Sequence, residues 1–153
     1  MSRFEEWLKR HWPVIGFAAM SLLVIGPWLV QPGFLFFTDF VWGPRINLAW
    51  TSNWFYPTII IKLFSFVFGM SLVQKLFIGG IIFFTLLAGY WLARRLADRS
   101  ISFLVGLFAL FNPFVYDRLL YGQIGVIMAY GFLLLTSAFL LKYLKNKNIK
   151  ELI

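Results

Sequence analysis

Four stretches of the chain are apolar with few interruptions, at residues 12–30, 76–93, 101–116 and 124–141. A helix needs about 20 mostly apolar residues to cross a bilayer core of about 30 Å, and each stretch reads as a span. The first follows a short charged head, residues 2–11. No clear small-x-small cleavage site comes after it, so it reads as an uncleaved first span. The third is interrupted at Asn112-Pro113. Proline lacks a backbone donor and disfavours helix at the preceding residue, which marks a helix end or kink at membrane depth. Between the first two spans, Gln31-Pro32-Gly33 breaks the pattern, and residues 34–57 mix aromatics with Asp39, Pro44, Arg45, Asn47 and Asn53. Residues 56–70 are apolar again but contain Lys62 and are short, at about 22 Å as a helix. That stretch reads as a helix in the interface plane or half-buried on the bundle. The pattern predicts an all-α membrane protein: four transmembrane helices plus an interfacial helix in the first outer loop, with residues 31–75 as the outer segment. Residues 142–153 form a basic, amphipathic tail, and 1–153 reads as a single transmembrane unit.

Composition sharpens this picture. The chain is 61% apolar and 13% charged, against about 45–50% and about 25% for soluble domains. Aromatics make up 21% of its 153 residues, which removes simple disorder. There is no Cys and one His, His11, so disulfides, thiolate nucleophiles, Cys-zinc sites and His-based triads are removed as well.

The net charge of +8 carries topology. Nucleic acid is not the reading, because the basic residues sit between apolar runs and form no continuous stripe. Arg3, Lys9 and Arg10, then Arg94, Arg95 and Arg99, then Lys142, Lys145, Lys147 and Lys150 are ten of the fourteen basic residues. With four spans all ten fall on one side, opposite Arg45, Lys62, Lys75 and Arg118. Basic residues concentrate in cytoplasmic segments, so both termini are expected in the cytoplasm of a multi-pass protein of the cell membrane. A fifth span at residues 56–70 would break this charge pattern. Trp28, Trp42, Trp50 and Trp54 then mark the outer boundary, and Trp7, Trp12, Trp91 and Tyr143 the inner one.

Two acids are left on the outer side, Asp39 and Asp117, both ringed by aromatics near the bilayer surface. Ionisable groups there are costly and have a partner or a function. Asp117 either pairs with Arg118 or Arg45 or serves a site; Asp39 either caps a helix or serves one. Arg118, Tyr121, Gly122 and Gln123 form a polar island between two apolar runs. Arg suits bidentate contact with phosphate, Gln123 offers donor and acceptor, and Gly122 permits a turn. A plain inter-helix loop with Arg118 snorkelling accounts for the same residues.

A cytoplasmic N-terminus, one span and an early outer Asp resemble the membrane glycosyltransferases of the C-type fold. In that family interfacial helices form the first outer loop, as read at residues 56–70, and a second acidic motif follows span three, where Asp117 stands. The string Asn-Pro-Phe-Val-Tyr-Asp-Arg-Leu-Leu-Tyr-Gly-Gln, residues 112–123, is similar to one in multi-span proteins of this group. The resemblance implies inverting transfer of a sugar from a polyprenyl-phosphate donor to an acceptor on the outer face. Asp39 would be the catalytic base. Arg118 and Arg45 would neutralise the leaving phosphate, and Asp117, Tyr121 and Gln123 would bind substrate. The resemblance allows a divalent metal, but Asp39 has no second acid two residues away, unlike the metal-binding pattern of the oligosaccharyltransferases. Family members are much longer, so the chain is expected to be an N-terminal part, inactive alone. Two other classes fit the residues: a helical scaffold or assembly subunit with the polar island as an inter-helix contact, and a transporter fragment in which Asn112-Pro113 breaks a discontinuous helix and Asp117 lies near the midplane.

Overall fold

The computed structural model describes residues 3–33, 35 and 55–146, with the backbone alone at 55–58, 60, 61 and 146. Every element among them is a helix: α1 (Arg3–Val30), α2 (Phe55–Phe68), α3 (Met70–Ala93), α4 (Arg99–Leu110), α5 (Pro113–Leu120) and α6 (Ile124–Asn146). Four helical stretches are long and apolar enough to cross a membrane: α1, α3, α4 with α5 taken together, and α6. The protein is thus a multi-pass helical membrane protein. At 14 residues, about 21 Å, α2 is too short to span. It lies on α3 with Leu63, Phe64, Phe66 and Val67 facing outward.

α1 joins the charged head to the first span without a break. Its 28 residues are about 42 Å long, more than a bilayer core needs. α3 is the centre of the bundle. α1, α2, α4 and α6 all pack on it, and half of its most apolar window is buried against about a fifth in the other spans. Lipid tails are as apolar as side chains, so close backbone approach holds such helices together. At the α3–α4 crossing, a Cβ on Gly89 would stand 2.5 Å from Cβ of Ala109, and one on Gly106 would stand 2.9 Å from the Leu86 carbonyl oxygen. Phe17 of α1 fills the notch beside Gly106. It is fully buried, stacked on Phe103 at 4.8 Å and edge-on to Tyr90 at 5.7 Å. On the other side of α3, Gly131 of α6 makes room for Phe84. The buried hydroxyls of Thr85 and Ser102 donate to carbonyls of their own helix or its cap, Ile81 and Asp98.

Three helix ends meet at one end of the bundle. Arg99 donates through Nη1 to the Lys9 carbonyl at 2.6 Å, and Lys145 donates to the Arg95 carbonyl. The head, the turn at residues 94–98 and the end of α6 are therefore neighbours. The charge pattern predicted this gathering of basic segments. Asp98 caps α4 there by accepting from the Ile101 N–H at 2.9 Å.

Several boundaries differ from the sequence reading: the helix of the first span already begins at Arg3 rather than 12, the short helix covers Phe55–Phe68 rather than 56–70, and the fourth span's helix runs to Asn146 rather than 141. The second span begins at Met70, not at 76, and the preceding helix stops at Phe68, where Gly69 takes a φ of 76°. Ser71, Gln74 and Lys75, placed in the outer segment from sequence, belong to the first turns of α3. They are polar because they satisfy the backbone of another segment. The third span extends to Leu120, with the expected break between α4 and α5. Asn112 closes both sides of that break. Its Nδ2 donates to the Phe108 and Ala109 carbonyls, and its Oδ1 accepts from the Val115 N–H at 3.0 Å. Pro113 sits at the first position of α5, where its missing N–H costs nothing.

Candidate functional site

At the end of the bundle opposite the basic cluster, the chain leaves α1 and is strapped to α3. Ser71, Gln74 and Lys75 lie three and four residues apart, so they share one helix face. The Ser71 hydroxyl donates to the Gly33 carbonyl. Gln74 accepts from the Leu35 N–H at 2.9 Å and donates to the Leu35 carbonyl at 2.7 Å, pairing both backbone groups as a strand neighbour would. Lys75 donates to the Gln31 carbonyl at 2.5 Å. Gln74 and Lys75 are buried at 0% and 3% exposure. The sequence reading did not single out this strap. Its one local signal is the Ser71, Gln74, Lys75 spacing ahead of an apolar run.

At the same end, α5 terminates in a Schellman turn. The Gln123 N–H bonds the Arg118 carbonyl at 2.8 Å and the Gly122 N–H bonds the Leu119 carbonyl at 3.1 Å. Gly122 has a φ of 72°, a left-handed conformation that glycine adopts without penalty. This turn brings together four of the residues singled out from sequence. Arg118 donates through Nη1 to Gln123 Oε1 at 2.6 Å, and its Nη2 lies 3.5 Å from Oδ2 of Asp117. Its guanidinium also stands 5.6 Å from the centre of the Phe114 ring, within cation–π range. Its Nε is buried and has no acceptor among the described residues. Asp117 is half exposed, so its pairing is worth only about 0.2–1 kcal/mol. Tyr121 caps the helix through its backbone and is exposed. Asp39 and Arg45 lie outside the described residues, and so does any meeting of Asp39 with Asp117.

Beside the kink, a cleft of about 420 Å³ opens among α1, α3 and the α4–α5 junction. Val24, Ile82, Phe111, Val115, Tyr116 and Leu119 form most of its wall. Val115, Tyr116 and Leu119 share one face of α5 at 100° per residue, and Arg118 falls on the flank of that face. Arg118 therefore lies off the face that lines the cleft. Among the described residues no three His, Asp or Glu side chains come together, so they offer no ligand set for a divalent metal. No protein family, curated protein or solved structure matches this chain.

Proposed function

We propose that this chain is the membrane unit of a C-type glycosyltransferase-like protein of the cell membrane. It transfers a sugar from a polyprenyl-phosphate donor to an acceptor on the outer face, with both termini and the Lys9–Arg95–Arg99–Lys145 end in the cytoplasm. The observation that carries the reading is the character of α5. One face of this short helix borders an apolar cleft suited to an isoprenoid tail, while its flank carries Arg118 with a buried, unfilled Nε donor. A phosphate oxygen fits that donor. In the reaction, the acceptor hydroxyl attacks the anomeric carbon, the bond from that carbon to the phosphate oxygen breaks, and the phosphate leaves on the lipid. Asp39 takes the hydroxyl proton, and Arg118, with Arg45, stabilises the charge gathering on the phosphate. Asp117, Tyr121 and Gln123 bind substrate around Arg118.

The position of Asp117 argues against the transporter reading. It stands in the last turn of the third span, about 5 Å from the end of α5, rather than at mid-span. The scaffold reading keeps one observation in its favour: Arg118 is engaged by Asp117 and Gln123 of its own turn.

Two substitutions test the proposal. Asp39→Asn keeps shape and removes the proton acceptor, so transfer in isolated membranes should fall about 10²–10⁴-fold while binding of a polyprenyl phosphate is retained. Arg118→Ala should weaken that binding by about tenfold, the loss of one charge-assisted contact. Near-normal transfer with Asn at position 39 would remove the base role, and unchanged lipid binding without Arg118 would move the scaffold reading ahead.

A further inference from the structure

We propose that the cavity at the start of α3 holds the phosphate of an anionic lipid headgroup, with the Lys75 ammonium as its fixed counter-charge. This site is separate from Arg118 and stands independently of the glycosyltransferase reading. Lys75 is the strongest signal. It is 3% exposed, yet among the described residues its one polar contact is the Gln31 carbonyl and no carboxylate is in ion-pair reach. An ammonium carries three donors, and a buried cation without a counter-ion is strongly unfavourable, most of all beside hydrocarbon. A group that brings a negative charge and several acceptor oxygens removes that penalty.

The surroundings specify the group further. A cavity of about 590 Å³ opens beside Lys75, lined by the polar Gln31 and Ser71 and by the apolar Leu29, Met70 and Leu72. The strap of Ser71, Gln74 and Lys75 holds its wall in place, so little ordering is left for the ligand to impose. The first turn of α3 adds to the field. Gly69 gives no side-chain cap, and the N–H groups of Met70, Ser71 and Leu72 precede the first intrahelical bond, from Val73 to Gly69. These donors, without a partner among the described residues, and the positive end of the helix dipole favour an anion. Free phosphate would satisfy Lys75 but leave the apolar lining wet. A lipid covers both, its phosphate at Lys75 and its chains along Leu29 and Leu72. The site lies at the opposite end of the bundle from the basic cluster, so surface attraction to Lys and Arg at that cluster does not explain it.

The test is native mass spectrometry of the purified chain after reconstitution in phosphatidylcholine vesicles with and without phosphatidylglycerol. The expected result is one retained phosphatidylglycerol in preference to phosphatidylcholine, not displaced by millimolar inorganic phosphate. Lys75→Gln should lower that preference about tenfold, as loss of one charge-assisted hydrogen bond does, while Lys145→Gln at the basic end leaves it unchanged. Leu72→Trp keeps the charge and fills the cavity, and should lose the lipid as well. Equal retention of the two lipids by the unmodified chain overturns the proposal, whether or not the variants fold. So does a Lys75→Gln variant that keeps the preference, and displacement by inorganic phosphate overturns the lipid as source.

Discussion

The polar side chains of this protein act mainly on backbone, and Gln74 is the clearest case. Its amide meets both the N–H and the carbonyl of Leu35, 39 positions away. Gln74→Leu keeps much of the volume and leaves both Leu35 groups without their partner. An unsatisfied buried polar group costs about 1–3 kcal/mol, so the variant should be less stable by about 2 kcal/mol in detergent, measured as a lower thermal midpoint. A change below about 0.5 kcal/mol, the ordinary range for a neutral substitution, would show that the strap does not hold the exit of α1. The Ser71, Gln74, Lys75 spacing hints at a polar helix face, but nothing local names its partner, a main chain 39 positions away. Asp98 differs. It stands three residues before the apolar run that begins at Ile101, the place of an N-cap, and its contact is with the N–H of Ile101 itself. Short-range chemistry of that kind is readable from a sequence.

Among the elements, α3 and the broken third span decide the packing. Gly106→Ala would push a Cβ to 2.9 Å from the Leu86 carbonyl oxygen, which is backbone and yields little. Overpacking of this kind costs about 1–3 kcal/mol. Gly80→Ala meets nothing within 4 Å and should be neutral or stabilising by up to about 1 kcal/mol through helix propensity. Equal thermal midpoints for the two variants would remove the close α3–α4 crossing. Asn112→Ala removes the cap of α5 together with two bonds to the end of α4. A lost N-cap costs about 0.5–2 kcal/mol, and hydrogen exchange should accelerate first in α5. The break itself was legible from Asn112-Pro113, since proline ends helices locally. That α5 then turns from α3 to pack on α6 was not legible, because helix packing partners leave no local mark.

For the whole molecule, the prediction concerns sidedness. The chain has no Cys, so single cysteines at Ser52 and Ser100 report cleanly to an impermeant thiol reagent on intact cells. Ser52 should label and Ser100 should not; labelling at Ser100 but not at Ser52 would reverse the topology. The gathering of the head, the turn at 94–98 and the end of α6 puts these segments at one end, and the expected side rests on the bias of basic residues toward the cytoplasm.

The sequence by itself determined the number of spans and the grouping of the basic segments. Hydrocarbon forces every spanning backbone group to bond within its own helix, so span length and apolarity can be read stretch by stretch. The chemistry at the two corners of the end opposite the basic cluster was determined only in part. Arg118, Gln123 and Asp117 lie within six residues of one another, and Gly122 marks the turn that brings them together. Lys75 looked from sequence like one more outer basic residue. Only the tertiary structure made it a buried cation beside a cavity. Its burial depends on Gln31 arriving from α1 and on the cavity that forms where α1 and α2 meet α3, and contacts between distant segments are decided by packing rather than by local residue order.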